Sequence, residues 1–307
     1  MNWKVALPGL ILLLVLAGSI VVKEESEITL YGRRSSSGTY LYFRNNVLQG
    51  GYSGDMYNMI GNEAIVQAVA NDKTAIGYVG VGYVLNEEDE PVDGIKILNI
   101  SPDENSDPVT PLDPQNVKTG EYPIARPLYQ YTNGVPSKQS LVEDFLSFEL
   151  SERGGDILIE TGFYPMTPQD SSHNENLFDN GESSDSDVGN DLIIKGSDTI
   201  LQLTSNFAEA YKNQDSDVNI TVEGGGSGTG ITSLIEGRAD VANSSREIDP
   251  AEIEEARRND INPTGFILGR DGLCIIVNEE NPINSLTVEQ VSRVFQGEVE
   301  TWEELDW

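Results

Sequence analysis

The pattern of apolar and polar positions divides the chain into a leader, two patterned stretches and a polar connection between them. Val5 to Val22 is apolar except for Pro8, Gly9, Gly18 and Ser19, and the charged stretch Lys23 to Glu27 follows at once. Residues 1–22 therefore read as a signal peptide or, if uncleaved, a membrane anchor. From Ile28 to Thr167 helical and strand patterns alternate. The 3.6-residue period predicts a helix over Thr39 to Leu48, with Tyr40, Phe43 and Val47 on one face. Asn62 is expected to cap a second helix, carrying Ile65, Ala68 and Val69. Ala75 to Val79 reads as a short buried strand, and Ser140 with Glu143 makes a capping box ahead of Leu141, Phe145 and Phe148.

Residues 168–190 are rich in Ser, Asn, Asp, Glu and Gly, and are expected to form a flexible acidic linker. Alternation resumes at Asp191. A strand at Leu192 to Ile194 leads through Gly196-Ser197-Asp198 to a helix presenting Ile200, Leu203, Phe207 and Tyr211. A strand at Val218 to Val222 enters the run Gly224 to Gly230, followed by a helix with Ile231, Leu234 and Ile235. Thr287 and Gln290 make another capping box before Val291, Val294 and Phe295. Strands alternating with helices predict an α/β fold, and no internal repeat is visible.

Composition removes several classes of function. The 51 acidic residues against 19 basic ones give a formal net charge of −32, which repels nucleic acid as a partner. The one cysteine, Cys274, lies in an apolar run and reads as a small buried hydrophobe; alone, it allows neither an intrachain disulfide nor a zinc cluster. The one histidine, His173, lies in the polar connection, so no Ser-His-Asp triad or multi-histidine metal site is available in the folded parts. No catalytic residue, metal ligand or cofactor is expected.

Three segments share a design of apolar strand, then small hydroxyl and glycine residues, then helix: Ser36-Ser37-Gly38-Thr39, Gly196-Ser197-Asp198-Thr199 and Gly226-Ser227-Gly228-Thr229. Free N–H groups at helix starts, hydroxyl donors and close backbone approach at glycine would together make a cage of neutral donors for a small oxyanion. Arg33 adds a forked cation suited to bidentate contact. The glycine run is not followed by Lys-Ser/Thr, which excludes a phosphate-binding P-loop, and it lacks the acidic partner of a dinucleotide site.

The strings GSDTI (196–200), VEGGGSGTGITSLIEGRADVANSSREI (222–248) and DGLCIIVNEENPINSLTVEQVSRVFQGEVETWEEL (271–305) resemble the N-terminal half of the substrate-binding component of phosphate ABC transporters. LYGRRSSSGTYLYF (30–43), IVQAVANDKTAIGYVGVGY (65–83) and YPIARPLYQYTNG (122–134) resemble its C-terminal half. The halves stand here in the opposite order. The resemblance therefore implies a circularly permuted, bilobed type II periplasmic-binding-protein fold, with two α/β lobes of mixed sheet joined by a hinge. One lobe would combine residues 28–119 with 265–307; the other would be 120–264, interrupted by the linker at 168–190. A chain cut from two tandem copies, or domain exchange between neighbours, is the alternative to a permuted monomer.

Matched position by position, the resemblance implies a phosphate site at Thr199, Ile200 (backbone), Ser227, Gly228, Ser245, Arg33, Ser37, Gly38 and Thr39, with Arg246 as an extra cation. Two positions depart from some relatives: Ser245 and Ser35 stand where an acidic residue is found. The implied activity is binding of inorganic phosphate outside the membrane and delivery to ABC permease subunits by hinge closure. The alternatives are an anchored phosphate sensor, a site for sulfate or molybdate, and, least favoured, a phosphatase on the same scaffold.

Overall fold

The computed structural model describes residues 27–86, 90–184, 189–214 and 216–305; the leader at 1–22 lies outside them. The chain runs through β1 (Thr29–Arg33), α1 (Gly38–Phe43), β2 (Tyr57–Met59), α2 (Asn62–Ala70) and β3 (Ala75–Gly80). Short strands β4 (Ile95–Ile97) and β5 (Asn99–Ser101) and helix α3 (Pro114–Thr119) lead to the long β6 (Ala125–Asn133). Then come β7 (Val135–Pro136), α4 (Leu141–Glu149), α5 (Glu152–Glu160), α6 (Pro168–Asn180) and β8 (Ser183–Ser184). The next run is β9 (Asp191–Gly196), α7 (Leu201–Lys212), β10 (Asn219–Glu223), α8 (Ser227–Ile235), β11 (Val241–Ser244) and α9 (Pro250–Arg258). The long β12 (Pro263–Asn278), β13 (Ser285–Thr287) and α10 (Val288–Gln296) complete the order.

One mixed sheet passes through the molecule in the order β10-β9-β11-β6-β12-β3-β1-β2, with β4 also on β12. At one end β1, β2 and β3 pair in parallel; at the other, β9, β10 and β11 do. The antiparallel pair β6–β12 joins these two parallel groups, and Arg126 lies directly opposite Asp271 in its register. Parallel strands need both faces covered, so each group has its own core. Leu30, Phe43, Ile65, Ile76, Tyr78, Ile275, Val294 and Phe295 lie in the first. Leu128, Phe145, Leu192, Leu203, Phe207, Val241 and Phe266 lie in the second. Tyr122 and Ile124 pack in the first core, and Phe266 and Leu268 in the second, so the division between cores falls a few residues beyond positions 119 and 264.

The helix expected over Thr39 to Leu48 is α1 followed directly by a π-helical turn, Arg44–Leu48. Asn62 is not the cap of α2 but its first residue; Gly61, at φ +85°, holds the cap position. Part of the acidic linker is a correction. Pro168–Asn180 is a helix, begun by a reciprocal capping box between Thr167 and Asp170, with Pro168 in the first turn. Its polar residues mislead because they are bound rather than solvated. Asn174 uses its side-chain amide to satisfy both the C=O and the N–H of Ile267 (2.8 and 2.9 Å), beside the irregularity in β12 between Ile267 and Gly269. Asp170 takes Arg270 on both oxygens (2.8 and 3.0 Å), His173 meets the carbonyl of Gly265 at 3.0 Å, and Leu177 and Phe178 pack on the second core.

Candidate functional site

The carboxyl ends of β1, β9, β10 and β11 bring the three Gly/Ser/Thr segments together, the position where open α/β sheets bind ligands. β1 ends at Arg33, and the turn after it delivers Ser37, whose Oγ caps α1 by accepting from Thr39 N at 3.2 Å. β9 ends in Ser197 and a short 3-10 turn, Asp198–Ile200, ahead of α7. β10 runs into Gly224–Gly226, and α8 begins at Ser227. Gly226 at φ +96° lies so close to Ser36 that a side chain would meet the Ser36 carbonyl at 2.5 Å. Gly38 sits with Ser227 and Ser245 against its Cα, leaving no room for a Cβ. Glycine at 226 lets two loops touch backbone to backbone, and glycine at 38 lets two serine side chains close on the α1 backbone.

Where they meet, hydroxyls cluster. Thr39 Oγ1 lies 3.0 Å from Thr199 Oγ1, and Ser197 Oγ donates to Ser245 Oγ at 3.1 Å. Ser227 Oγ accepts from Ser245 N at 3.1 Å and lies 3.5 Å from Ser245 Oγ. All five side chains are buried. Thr39 comes from the first core's side of the molecule and the other four from the second's, so the cluster straddles the junction.

Three arginines border it. Arg33 is 3% exposed; its Nη2 pairs with Asp198 Oδ2 at 2.8 Å, while Nε and Nη1 have no acceptor among the described residues. Burial pulls this guanidinium below its ordinary pKa, partly offset by Asp198. Arg126 sits where β6 crosses β12. Its Nε and Nη2 bind Asp271 Oδ2 (3.1 and 2.7 Å), Nη2 also donates to Thr39 Oγ1 (3.0 Å), and Nη1 to the Ser245 carbonyl (3.1 Å). An arginine can only donate, so Thr39 Oγ1 accepts from it, and its own proton is left to point elsewhere.

The third arginine departs from expectation. Arg246 is clasped by Glu252 on both oxygens (2.7 and 2.6 Å), lies 3.5 Å from Asp249, and donates to the Glu247 carbonyl. Burial would lower its pKa, but Glu252 holds it above the ordinary value. It borders the site as a neutralised charge, not as a spare cation. Ile200 has its side chain in the second core, so only its backbone is available there. Gly228 lies in the first turn of α8, with Ser36 O and Arg246 Nη2 nearby. The remaining expected residues, Arg33, Ser37, Gly38, Thr39, Thr199, Ser227 and Ser245, converge.

Sequence reasoning missed Arg126 and Asp271 as members of this constellation; Ser197 and Asp198 stood in one of the three segments without being assigned to the site. Asp198 anchors one wall: Oδ1 accepts from Gly225 N at 2.8 Å, and its carbonyl accepts from Tyr83 Oη at 3.0 Å, across the junction. Asp198 and Thr199 also line a cavity of about 620 Å³ between the two halves, with Arg34, Asn62 and Tyr83 on one wall and Thr161, Gln202 and Asn206 on the other. It connects the cluster to solvent.

Comparison with known proteins bears on this geometry. A profile of the PBP superfamily domain matches residues 2–153 and 180–306. The phosphate-binding protein PstS 2 of Streptococcus agalactiae is 28% identical over 242 residues, 78% of this chain and 71% of the relative. PstS 2 of Streptococcus pneumoniae is 28% identical over 244 residues, 79% and 72% of the two chains. A crystal structure of a phosphate-binding protein of a phosphate ABC transporter from Streptococcus pneumoniae superposes with a TM-score of 0.64 at 24% identity, covering 92% of this chain and all of that one. The fold is thus the bilobed type II arrangement, with β6 and β12 crossing between lobes.

Proposed function

The chain belongs to the PBP superfamily, and from that premise we propose that it binds inorganic phosphate outside the membrane and hands it to an ABC permease. The observation that carries the reading is the half-used guanidinium of Arg33 beside hydroxyls from four segments. Two buried guanidinium nitrogens with no acceptor among the described residues and a ring of neutral donors suit a small tetrahedral oxyanion, and closure of the lobes brings the donors together. The relatives named above are phosphate-binding proteins, which favours phosphate over other oxyanions and binding over hydrolysis. Export rests on the apolar leader at 1–22. Among the described residues no helix is long and apolar enough to cross a membrane.

The permuted order is part of the same proposal. Ile28 N donates to the Glu300 carbonyl at 2.8 Å and Glu27 bridges to Thr301, so β1 starts alongside the 299–305 segment. A chain in the unpermuted order would need that adjacency to run from one into the other. The stretch from α6 to β9 supplies the new connection.

Calorimetric titration with phosphate, using sulfate, molybdate and arsenate as competitors, tests the reading. Phosphate is expected to bind at least about tenfold tighter than sulfate, a difference of roughly 1.4 kcal/mol. Equal affinity for the two would remove phosphate as the ligand.

A further inference from the structure

We propose that Asn219 is the acceptor of an N-linked oligosaccharide, attached at the edge of the sheet and away from the anion site. The inference rests on export of the chain and not on the identity of its ligand. The sequence holds three Asn-x-Ser/Thr triplets in which x is not proline: Asn99-Ile100-Ser101, Asn219-Ile220-Thr221 and Asn243-Ser244-Ser245. Such a triplet is an acceptor for N-glycosylation when an exported protein presents it at its surface.

The fold treats the three differently. Asn243 is 1% exposed; its Nδ2 donates to Thr204 Oγ1 at 2.9 Å, its Oδ1 accepts from Gln130, and Ser245 lies in the hydroxyl cluster. Asn99 is half-buried in β5, and Ser101 is buried where β5 pairs with β13. In β10, by contrast, Asn219 and Thr221 are both exposed and Ile220 between them is buried. Residues two apart on a strand share a face, so amide and hydroxyl stand together in solvent. β10 is also the end strand of its sheet, paired on one side with β9. Exposed edges invite pairing with other chains and are blunted by lysine, proline, bulges or a cover. β10 itself has no lysine or proline, although Lys212 of α7 donates to the Ile220 carbonyl at 2.8 Å. A glycan on Asn219 would cover the start of this edge. The anion site lies beyond the other end of β10, four strand residues or about 13 Å further on. In the transfer, Asn219 Nδ2 bonds to the anomeric carbon of a lipid-linked oligosaccharide phosphate. The bond from that carbon to the phosphate oxygen breaks, and one amide proton passes to the departing lipid phosphate. Nδ2 keeps its second proton, so its hydrogen bond to Asp191 Oδ1 (3.0 Å) survives.

The test is peptide-mass mapping of the full chain purified from fractionated cells of its native host, with melting as the check on folding of each variant. The Asn219 peptide is expected to carry an oligosaccharide, lost in Asn219→Gln and Thr221→Ala and retained in Thr221→Ser. The Asn99 and Asn243 peptides are expected at their bare mass. Phosphate affinity of Asn219→Gln should stay within about twofold of wild type; a larger loss overturns the placement away from the site. An exported chain bare at Asn219 overturns the proposal, as does sugar on Asn99 or Asn243 instead. An increment on the Asn219 peptide that persists in Thr221→Ala also overturns it. A chain kept inside the cell and bare at Asn219 overturns the export reading along with it. A glycosylated chain that does not bind phosphate overturns the phosphate reading and leaves this one standing.

Discussion

Arg126 and Arg33 reach the same hydroxyl cluster from different places, and each meets an aspartate there. Arg126 and Asp271 are both fully buried, face each other across β6 and β12, and leave no guanidinium nitrogen unused. Tyr42 adds its ring face 5.5 Å from the guanidinium carbon. Arg33 and Asp198 come from different lobes; the aspartate is partly exposed, and two guanidinium nitrogens find no acceptor among the described residues. A saturated pair between two strands of one ladder fixes the crossing on which both lobes are mounted. An unsaturated pair between lobes leaves donors for something else. The contrast separates the residue that holds the site from the residue proposed to bind at it.

The sharpest way to break this contrast is to remove Asp271. Asp271→Ala leaves Arg126 charged and unpaired in the interior, and also orphans Val81 N, which donates to Asp271 Oδ1 at 3.1 Å. Stripping one partner from a buried pair costs about 3–5 kcal/mol. In a chain of this size, that is a fall in Tm on the order of 10 °C. Calorimetric or circular-dichroism melting checks it. A loss below about 1 kcal/mol would mean that the crossing does not depend on the pair.

Arg33→Ala is expected to behave oppositely. Phosphate affinity falls by roughly 1.5–3 kcal/mol, as for a lost charged hydrogen bond, while stability moves by less than about 1 kcal/mol, because Asp198 regains solvent. Melting and titration of the same preparation separate the two. Unchanged affinity would remove Arg33 from the site; a large loss of stability would make it a second Arg126.

That division of labour was only half legible in the sequence. The Gly/Ser/Thr clusters between apolar strand and helix patterns marked Ser37 to Thr39, Thr199 and Ser227, because a local pattern encodes a local conformation. Arg126 and Asp271 carried a fainter sign, charges within otherwise largely apolar strands, and their partnership depends on a register that joins residues 145 apart. Asp198 stood inside a recognised motif, yet what it binds lies across the cleft. Arg246 was expected as an extra cation. Its fate is decided six residues later by Glu252, which serves at once as the arginine's partner and in the capping box of α9. Helix α6 was hidden because Asp170 and Asn174 on its inward face are polar, and Leu177 and Phe178 alone give hydrophobic periodicity little to detect.

Glu149 extends the contrast to a buried carboxyl with no arginine, and there the smallest effect is expected. Its Oε1 accepts from Gln130 Nε2 at 3.1 Å, Oε2 has no partner among the described residues, and burial pushes the carboxyl well above the usual range, only partly opposed by Gln130. The folded state therefore holds this proton more tightly than the unfolded one, where the carboxyl titrates near about 4.3. Its contribution to stability is complete below that unfolded value and is lost as pH rises through the folded one. Glu149→Gln keeps an acceptor for Gln130 and cannot ionise. Relative to wild type, the variant should gain nothing near pH 4. Its advantage should grow as pH rises above the unfolded value and level off once the folded one is passed. Tm of the two proteins measured in parallel from acid to mildly alkaline pH reads this directly, since the large acidic background is common to both. An advantage that shrinks with rising pH would mean that Glu149 is ionised and paired in the folded protein, and that a buried carboxylate here does not need an arginine.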